Sequence, residues 1–217
     1  MAISDTVADR PVTVAGLVGT RALALAVVAG LVSGALTSFG QTVLPAPFAG
    51  LANAVAPWLV VPFAVGALAR RWAWALVAGA VACLGQVVGY YVTADLRGFP
   101  VGTTWALFWL VAGLPGGVVA GVAGWSWWRS GRGAASMWSG WERGLGGAVL
   151  VAVWLAEAIV TYAVGLRYPG HAVVFAGVAL VVFGLLGLHG RQHRAIARGV
   201  GPVAVLACAG FGALGAL

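Results

Sequence analysis

The chain has 217 residues, 62% of them apolar and only 8% charged, with a formal net charge of +7. A soluble domain carries roughly 25% charged residues, so this chain cannot clothe a water-facing surface, and lipid is its natural solvent. Its twelve basic residues are all Arg, placed in short gaps between apolar runs with no basic stripe or RNA-binding signature, which argues against a nucleic-acid partner.

A helix that crosses a bilayer needs about 20 mainly apolar residues. Residues 22–43 form the first such run, opened by Arg21 and followed by Pro45 and Pro47. Residues 50–69 form the second, interrupted by Pro57 and Pro62 and ended by Arg70 and Arg71. The third, 72–93, opens with Trp72 and Trp74, and the fourth, 104–128, is expected to bend or break near Gly113-Leu114-Pro115-Gly116-Gly117. Runs 144–166 and 172–189 follow, and a Gly-rich run, 200–217, closes the chain. The expected fold is all-α: a polytopic transmembrane bundle of about seven spans, or six if the last run stops short of crossing. Residues 1–20 would be a cytoplasmic tail and 21–217 one transmembrane domain. The tail holds Asp5, Asp9 and Arg10, and a cleavable signal peptide is not expected.

The gaps between the runs set the expected orientation. Arg10, Arg21, Arg70, Arg71, Arg129, Arg132, Arg143, Arg191, Arg194 and Arg198 fall on one side; Arg97 and Arg167 fall on the other. Short loops rich in basic residues favour the cytoplasm, so the N-terminus is expected inside. The Arg-only basic set, with abundant Ala, Gly and Val, suggests a GC-rich bacterial genome and therefore a multi-pass protein of the bacterial cytoplasmic (inner) membrane. Trp72, Trp74, Trp125, Trp127 and Trp128 sit at cytoplasmic ends of runs and are read as interfacial anchors. The stretch 134–143, with Met137, Trp138, Trp141 and Arg143, is expected to form a short interfacial helix.

Gly30 and Gly34, Gly85 and Gly89, Gly113 and Gly117, and Gly117 and Gly121 are each four apart. That spacing lets helix backbones approach closely in lipid, where packing replaces the hydrophobic drive. It serves a compact bundle or a membrane-protein partner docked on the Gly-rich faces.

Polar groups inside spans are costly and are functional suspects. Glu157 is the one carboxylate deep in a run, with Thr161 four residues on and Trp154 three back. Gln86 and Tyr90 are four apart, Ser33, Thr37 and Gln41 are spaced by fours, and Trp105 and Trp109 are four apart. Asn53 lies beside Pro57 and Trp58. With the orientation above, most of these groups share the outer half of the bilayer, with Glu157 near its middle.

Two readings stay open. In one, an outward pocket holds a small polar or aromatic solute, with Glu157 as charged anchor or proton acceptor. Gln86, Asn53, Gln41 and Thr161 would then supply polar contacts, and Tyr90 and Trp109 would stack on a ring. In the other, Glu157 is protonated and merely bonds a neighbouring helix, and the amides tie helices together. His189 and His193, four apart, have metal-ligand spacing but sit among Arg191, Arg194 and Arg198, which fits a basic interfacial turn; no metal or other cofactor is expected. Cys83 and Cys208 read as small hydrophobes.

Several classes are excluded. Without Lys there is no retinal Schiff base. No nucleophile elbow, phosphate-binding loop or voltage-sensing Arg row is present. An enzyme is not expected.

The stretches Leu36-Thr37-Ser38-Phe39-Gly40-Gln41, Leu51-Ala52-Asn53-Ala54-Val55-Ala56-Pro57-Trp58-Leu59, Gly85-Gln86-Val87-Val88-Gly89-Tyr90-Tyr91-Val92 and Arg97-Gly98-Phe99-Pro100 resemble a family of small bacterial multi-pass membrane proteins of unknown function. The resemblance covers roughly residues 25–165 and implies no activity. In architecture the chain is also similar to the substrate-binding subunits of energy-coupling-factor vitamin transporters, usually six-span bundles with a cytoplasmic N-terminus and an outward pocket. Ala22 and Ala26 resemble the small-residue pairs that those subunits turn toward their coupling partner.

Overall fold

The computed structural model describes residues 19–133 and 143–215. The N-terminal tail through residue 18 and the expected interfacial helix at Met137, Trp138 and Trp141 lie outside the described residues.

Among the described residues there are seven α-helices: α1 (Gly19–Val43), α2 (Val55–Leu68), α3 (Trp72–Leu96), α4 (Thr103–Gly131), α5 (Leu145–Ala156), α6 (Pro169–Leu188) and α7 (His193–Leu214). α5 runs on as a π-helix over Glu157–Gly165, and a 3-10 turn, Phe48–Ala52, precedes α2. Six of the described helical segments are long and apolar enough to cross a membrane, counting α5 with its π-helical extension as one. The short one is α2, whose 14 residues reach only about 21 Å at 1.5 Å per residue, against a hydrocarbon core of about 30 Å.

The span in doubt therefore moves. The Gly-rich last run begins at His193 rather than residue 200 and, at 22 residues, is long enough to cross. Its first turns carry Arg194 and Arg198, both exposed, with Arg198 Nε donating to the Arg194 carbonyl one turn back at 3.3 Å. The second run is not one helix from residue 50. The chain breaks at Asn53 and Ala54, ahead of Pro57 rather than at it. Pro57 then sits in the first turn, where a missing N–H costs nothing, and Pro62 is carried inside the helix. The expected break in the fourth run does not occur: α4 is one helix with Pro115 inside it. There Gly117 and Gly121 hold α4 directly against α3, and in membranes such packing supports a proline-interrupted ladder.

Small residues build the core. Along α1 the buried positions are Gly19, Ala22, Ala26, Gly30, Gly34 and Ser38, a stripe with steps of three and four. A Cβ on Gly34 would overlap the Gln86 carbonyl oxygen of α3, and one on Gly89 would overlap that of Leu31 in α1. Gly117 and Gly121 of α4 lie equally close to Gly79 of α3, and a Cβ on Gly124 would overlap the Phe63 carbonyl of α2. The Gly pairs seen in the sequence are thus spent inside the bundle. Ala22 and Ala26, 1% and 0% exposed, are also buried, on the stripe that α1 turns to α3, and are closed to an outside partner. Large side chains point outward instead: Leu36, Val111, Val173 and Leu206 are 65–75% exposed, as lipid permits. A larger-residue core of Phe63, Leu150, Trp154, Tyr162 and Phe175 joins α2, α5, its π-helical end and α6. α7 packs on α5 through Ile196, Ala148 and Val151.

The aromatic residues divide by role. Trp72 and Trp74 are 51% and 37% exposed at one end of α3, as anchors would be. Trp127 instead packs on Phe63 and donates its indole N–H to the Leu186 carbonyl at 3.0 Å, tying α4 to α6. His189 and His193 do not share a helix face. The chain reverses between them at Gly190 (φ 64°), where the mirror-image backbone suits glycine. His189 stacks on Trp128 with ring centroids 4.4 Å apart, and His193 bonds the Gly184 carbonyl.

Candidate functional site

The break at Asn53–Ala54 creates a helix start inside the protein, and everything in the site is arranged around it. A helix start leaves four backbone N–H groups without partners. Here Pro57 removes one, and Glu157, 2% exposed, accepts two: Val55 N–H to Oε1 at 2.8 Å and Ala56 N–H to Oε2 at 2.6 Å. A carboxylate is the favoured group at that position, because the aligned peptide dipoles leave partial positive charge there. Glu157 belongs to the opposite half of the bundle, at the junction where α5 becomes π-helical. π-helical turns frequently mark functional positions. In this one, Tyr162 follows Glu157 by five residues, one π turn, and stacks on His171 at 5.3 Å.

On the other flank of the same helix start lies a cavity of about 120 Å³. Its walls are Asn53 and Trp58 from the start of α2, Cys83, Tyr90 and Tyr91 from α3, and Trp109 from α4. Val55 also lines it, so one residue faces the cavity and donates to Glu157. The walls are mostly apolar and aromatic with few polar groups, the usual make-up of a small-molecule site. Trp58 and Tyr90 approach with ring centroids 5.8 Å apart, and Tyr90 meets Tyr91 edge-on at 5.0 Å.

A short polar chain supports the cavity wall. The Tyr90 hydroxyl donates to Gln41 Oε1 at 2.6 Å, and Gln41 Nε2 donates to Asn53 Oδ1 at 2.8 Å. This fixes Asn53 with its oxygen occupied and its amide N–H groups without a partner among the described residues. Close by, Arg97 at the end of α3 bonds the Ser38 backbone oxygen and, at 2.7 Å, Thr42 Oγ1, with its guanidinium 4.2 Å over the Phe39 ring. Arg97 therefore locks the neighbouring end of α1 to α3, so that Gln41 is held where Tyr90 and Asn53 can reach it.

The sequence-selected residues fall into two groups. Asn53, Tyr90 and Trp109 line the cavity, and Gln41 stands one hydrogen bond behind it. Glu157, Gln86 and Thr161 do not line it. Glu157 is turned to the backbone of α2. Gln86 is 1% exposed on α3, with its Oε1 lacking a partner among the described residues. Thr161 is half-buried one turn beyond Glu157 on the π-helix. Ser33 and Thr37 bond carbonyls of their own helix. Trp58, Tyr91 and Cys83 were not foreseen as cavity walls. Cys83, Val87 and Tyr90, spaced by four and three, share one helix face with one another, and that spacing could have found Cys83.

No curated protein and no solved structure matches the chain. One family profile does match, described as a family of unknown function (DUF6518), and it covers residues 15–217. The chain is a multi-pass helical membrane protein and belongs to that family.

Proposed function

We propose that this protein binds or transports a small polar or aromatic solute in the cavity beside α2, and that it is not an enzyme. The observation that carries this reading is the juxtaposition of aromatic walls and free Asn53 amide donors at a helix that breaks inside the bundle. Discontinuous helices of this kind supply solute sites in transporters. The cavity suits a neutral molecule with one flat ring and one hydrogen-bond acceptor. The Arg distribution, ten on one side against two on the other, supports an N-terminus in the cytoplasm. The cavity then belongs to the outer half of a bacterial cytoplasmic membrane, with the free solute arriving from outside.

Cys83 provides the test. In a Cys208→Ser background in intact cells, a small membrane-impermeant thiol reagent should label Cys83, and acetophenone, a neutral flat-ring probe with one hydrogen-bond acceptor, should slow that labelling. A Thr104→Cys control at the exposed start of α4 should label regardless. Labelling of the control without labelling of Cys83 would sink the pocket reading.

A second reading, an assembly partner without a ligand, has its own observation. Gly177 and Gly184 on α6 and Gly201, Gly210 and Gly212 on α7 have open space where a Cβ would be. With the other Gly-rich faces closed, a partner helix would dock on α6 and α7. Trp substitutions at Gly177 and Gly210 that split a purified complex while leaving the monomer folded would support it.

A further inference from the structure

Glu157 is the one described carboxylate deep in the bundle, and it serves no wall of the cavity. Its two oxygens are both committed to the first turn of α2. We infer that Glu157 is a proton-binding site coupled through that turn to the cavity, so that proton binding and solute binding are linked. The inference rests on the reading that the cavity takes a solute, and it adds the ion that would drive or regulate its movement.

The coupling follows from hydrogen-bond chemistry. An ionised carboxylate accepts from two N–H groups at once and is favoured by the helix dipole. When a proton from water adds to one oxygen, that oxygen becomes an O–H donor, and the N–H facing it loses its best acceptor. Either Val55 or Ala56 then keeps only the weak acceptor of an acid hydroxyl, in an interior where a poorly met N–H is costly. The first turn of α2 must shift or fray. Val55 lines the cavity, and Asn53, Ala54 and Trp58 flank or follow it, so the shift passes directly into the cavity wall.

The surroundings leave Glu157 as the group that responds. α2 and α5 contain no titratable side chain. α6 offers His171, and α7 offers Cys208 beyond its basic first turns. On its own π-helix the neighbour is Tyr162, 6% exposed, whose ring stacks on His171. No basic side chain bonds the carboxylate among the described residues, so its partners are neutral N–H groups that vary in position rather than charge. His171 stacks between Tyr162 and Tyr168, with ring centroids 5.3 and 5.5 Å away. Because linkage is reciprocal, a solute that needs an ordered α2 start must bind less tightly to the protonated form, and must itself favour proton release.

The experiment uses the purified full chain in detergent or nanodiscs. Infrared difference spectra between alkaline and acidic pH should show the carbonyl stretch of a neutral carboxylic acid, absent in Glu157→Gln. Over the same pH interval, amide hydrogen exchange of the 54–58 segment, corrected for its intrinsic pH dependence, should quicken about tenfold in the wild type, within the usual range of coupling. Glu157→Gln should show no such step. Acetophenone protection of Cys83 should weaken as the acid band appears. The inference is overturned if no acid band is lost in Glu157→Gln, or if the band appears with exchange at 54–58 unchanged. Should Glu157→Gln not fold, a pH-independent wild-type exchange rate overturns it alone. Failure of the cavity reading looks different: Cys83 would resist labelling at every pH while the infrared and exchange steps remained.

Discussion

The Ala56 N–H donates to Glu157 Oε2 at 2.6 Å across 101 residues of chain. The bond joins the start of a helix in one half of the bundle to a buried carboxylate in the other. It joins the other polar ties between helices, those of Trp127, Arg97 and Tyr90, and it fixes where α2 begins.

Removing that tie should be costly. Glu157→Ala leaves two N–H groups unsatisfied at an interior helix start, and should destabilise the fold by about 2–4 kcal/mol. Glu157→Gln keeps one acceptor and should lose about half as much. Thermal unfolding in detergent, followed by helical circular dichroism, measures both. Equal melting of Glu157→Ala and wild type would show that the cap contributes nothing.

The glycines divide into those that carry a helix contact and those that do not. A Cβ at position 124 would overlap the Phe63 carbonyl oxygen, which is backbone and cannot step aside. Gly124→Ala should therefore push α2 from α4 and cost about 1–3 kcal/mol. Gly177 faces open space, so Gly177→Ala should stay within about 0.5 kcal/mol of wild type. Comparable losses in the two variants, in the same melting assay, would contradict this packing of α2 against α4.

Arg97 should not be replaceable by Lys. Its planar fork reaches the Ser38 backbone oxygen and Thr42 Oγ1 together while lying over Phe39. An ammonium group is a point donor and cannot hold that geometry. Arg97→Lys should lose about 1–2 kcal/mol of stability and should loosen Gln41 from Tyr90. A melting temperature unchanged by Arg97→Lys would show the clamp to be replaceable by charge alone.

How much of this was readable in advance depends on whether the signal is local. Apolar runs are local, and so the all-helical membrane fold and the approximate positions of its helices followed from the sequence. The α1 stripe from Gly19 to Ser38 is periodic, and its Gly pairs pointed to helix contacts. The start of α7 was hidden because His193, Arg194 and Arg198 look like loop residues, although arginine side chains let a helix begin among charges. Pro57 and Pro62 are the visible breakers, and the sequence interrupts the second run at those two positions. What stops the helix there is the end of its hydrogen-bond ladder at Asn53–Ala54, closed by a carboxylate a hundred residues away. Depth and rarity singled out Glu157, but its partners are backbone groups, which leave no trace in side-chain spacing. The π-helical register that begins at Glu157 has no sequence mark at all.

Tyr90, Gln41 and Asn53 should act on the cavity as a unit. Tyr90→Phe removes the donor to Gln41 Oε1, freeing the Gln41 amide to rotate and to release Asn53 Oδ1. Asn53→Ala removes the far end of the same chain and the N–H groups proposed to meet the solute. Each substitution should weaken acetophenone protection of Cys83 by a factor of about 3–10, the worth of one net hydrogen bond. The double variant should be little worse than Asn53→Ala alone, because Tyr90 acts on the site through Gln41, and residues in one network do not add. Trp109→Ala, which strips an aromatic wall without touching the chain, should add in full to either. Full additivity of Tyr90→Phe with Asn53→Ala would mean that the two groups reach the cavity separately, with Gln41 a bystander between them.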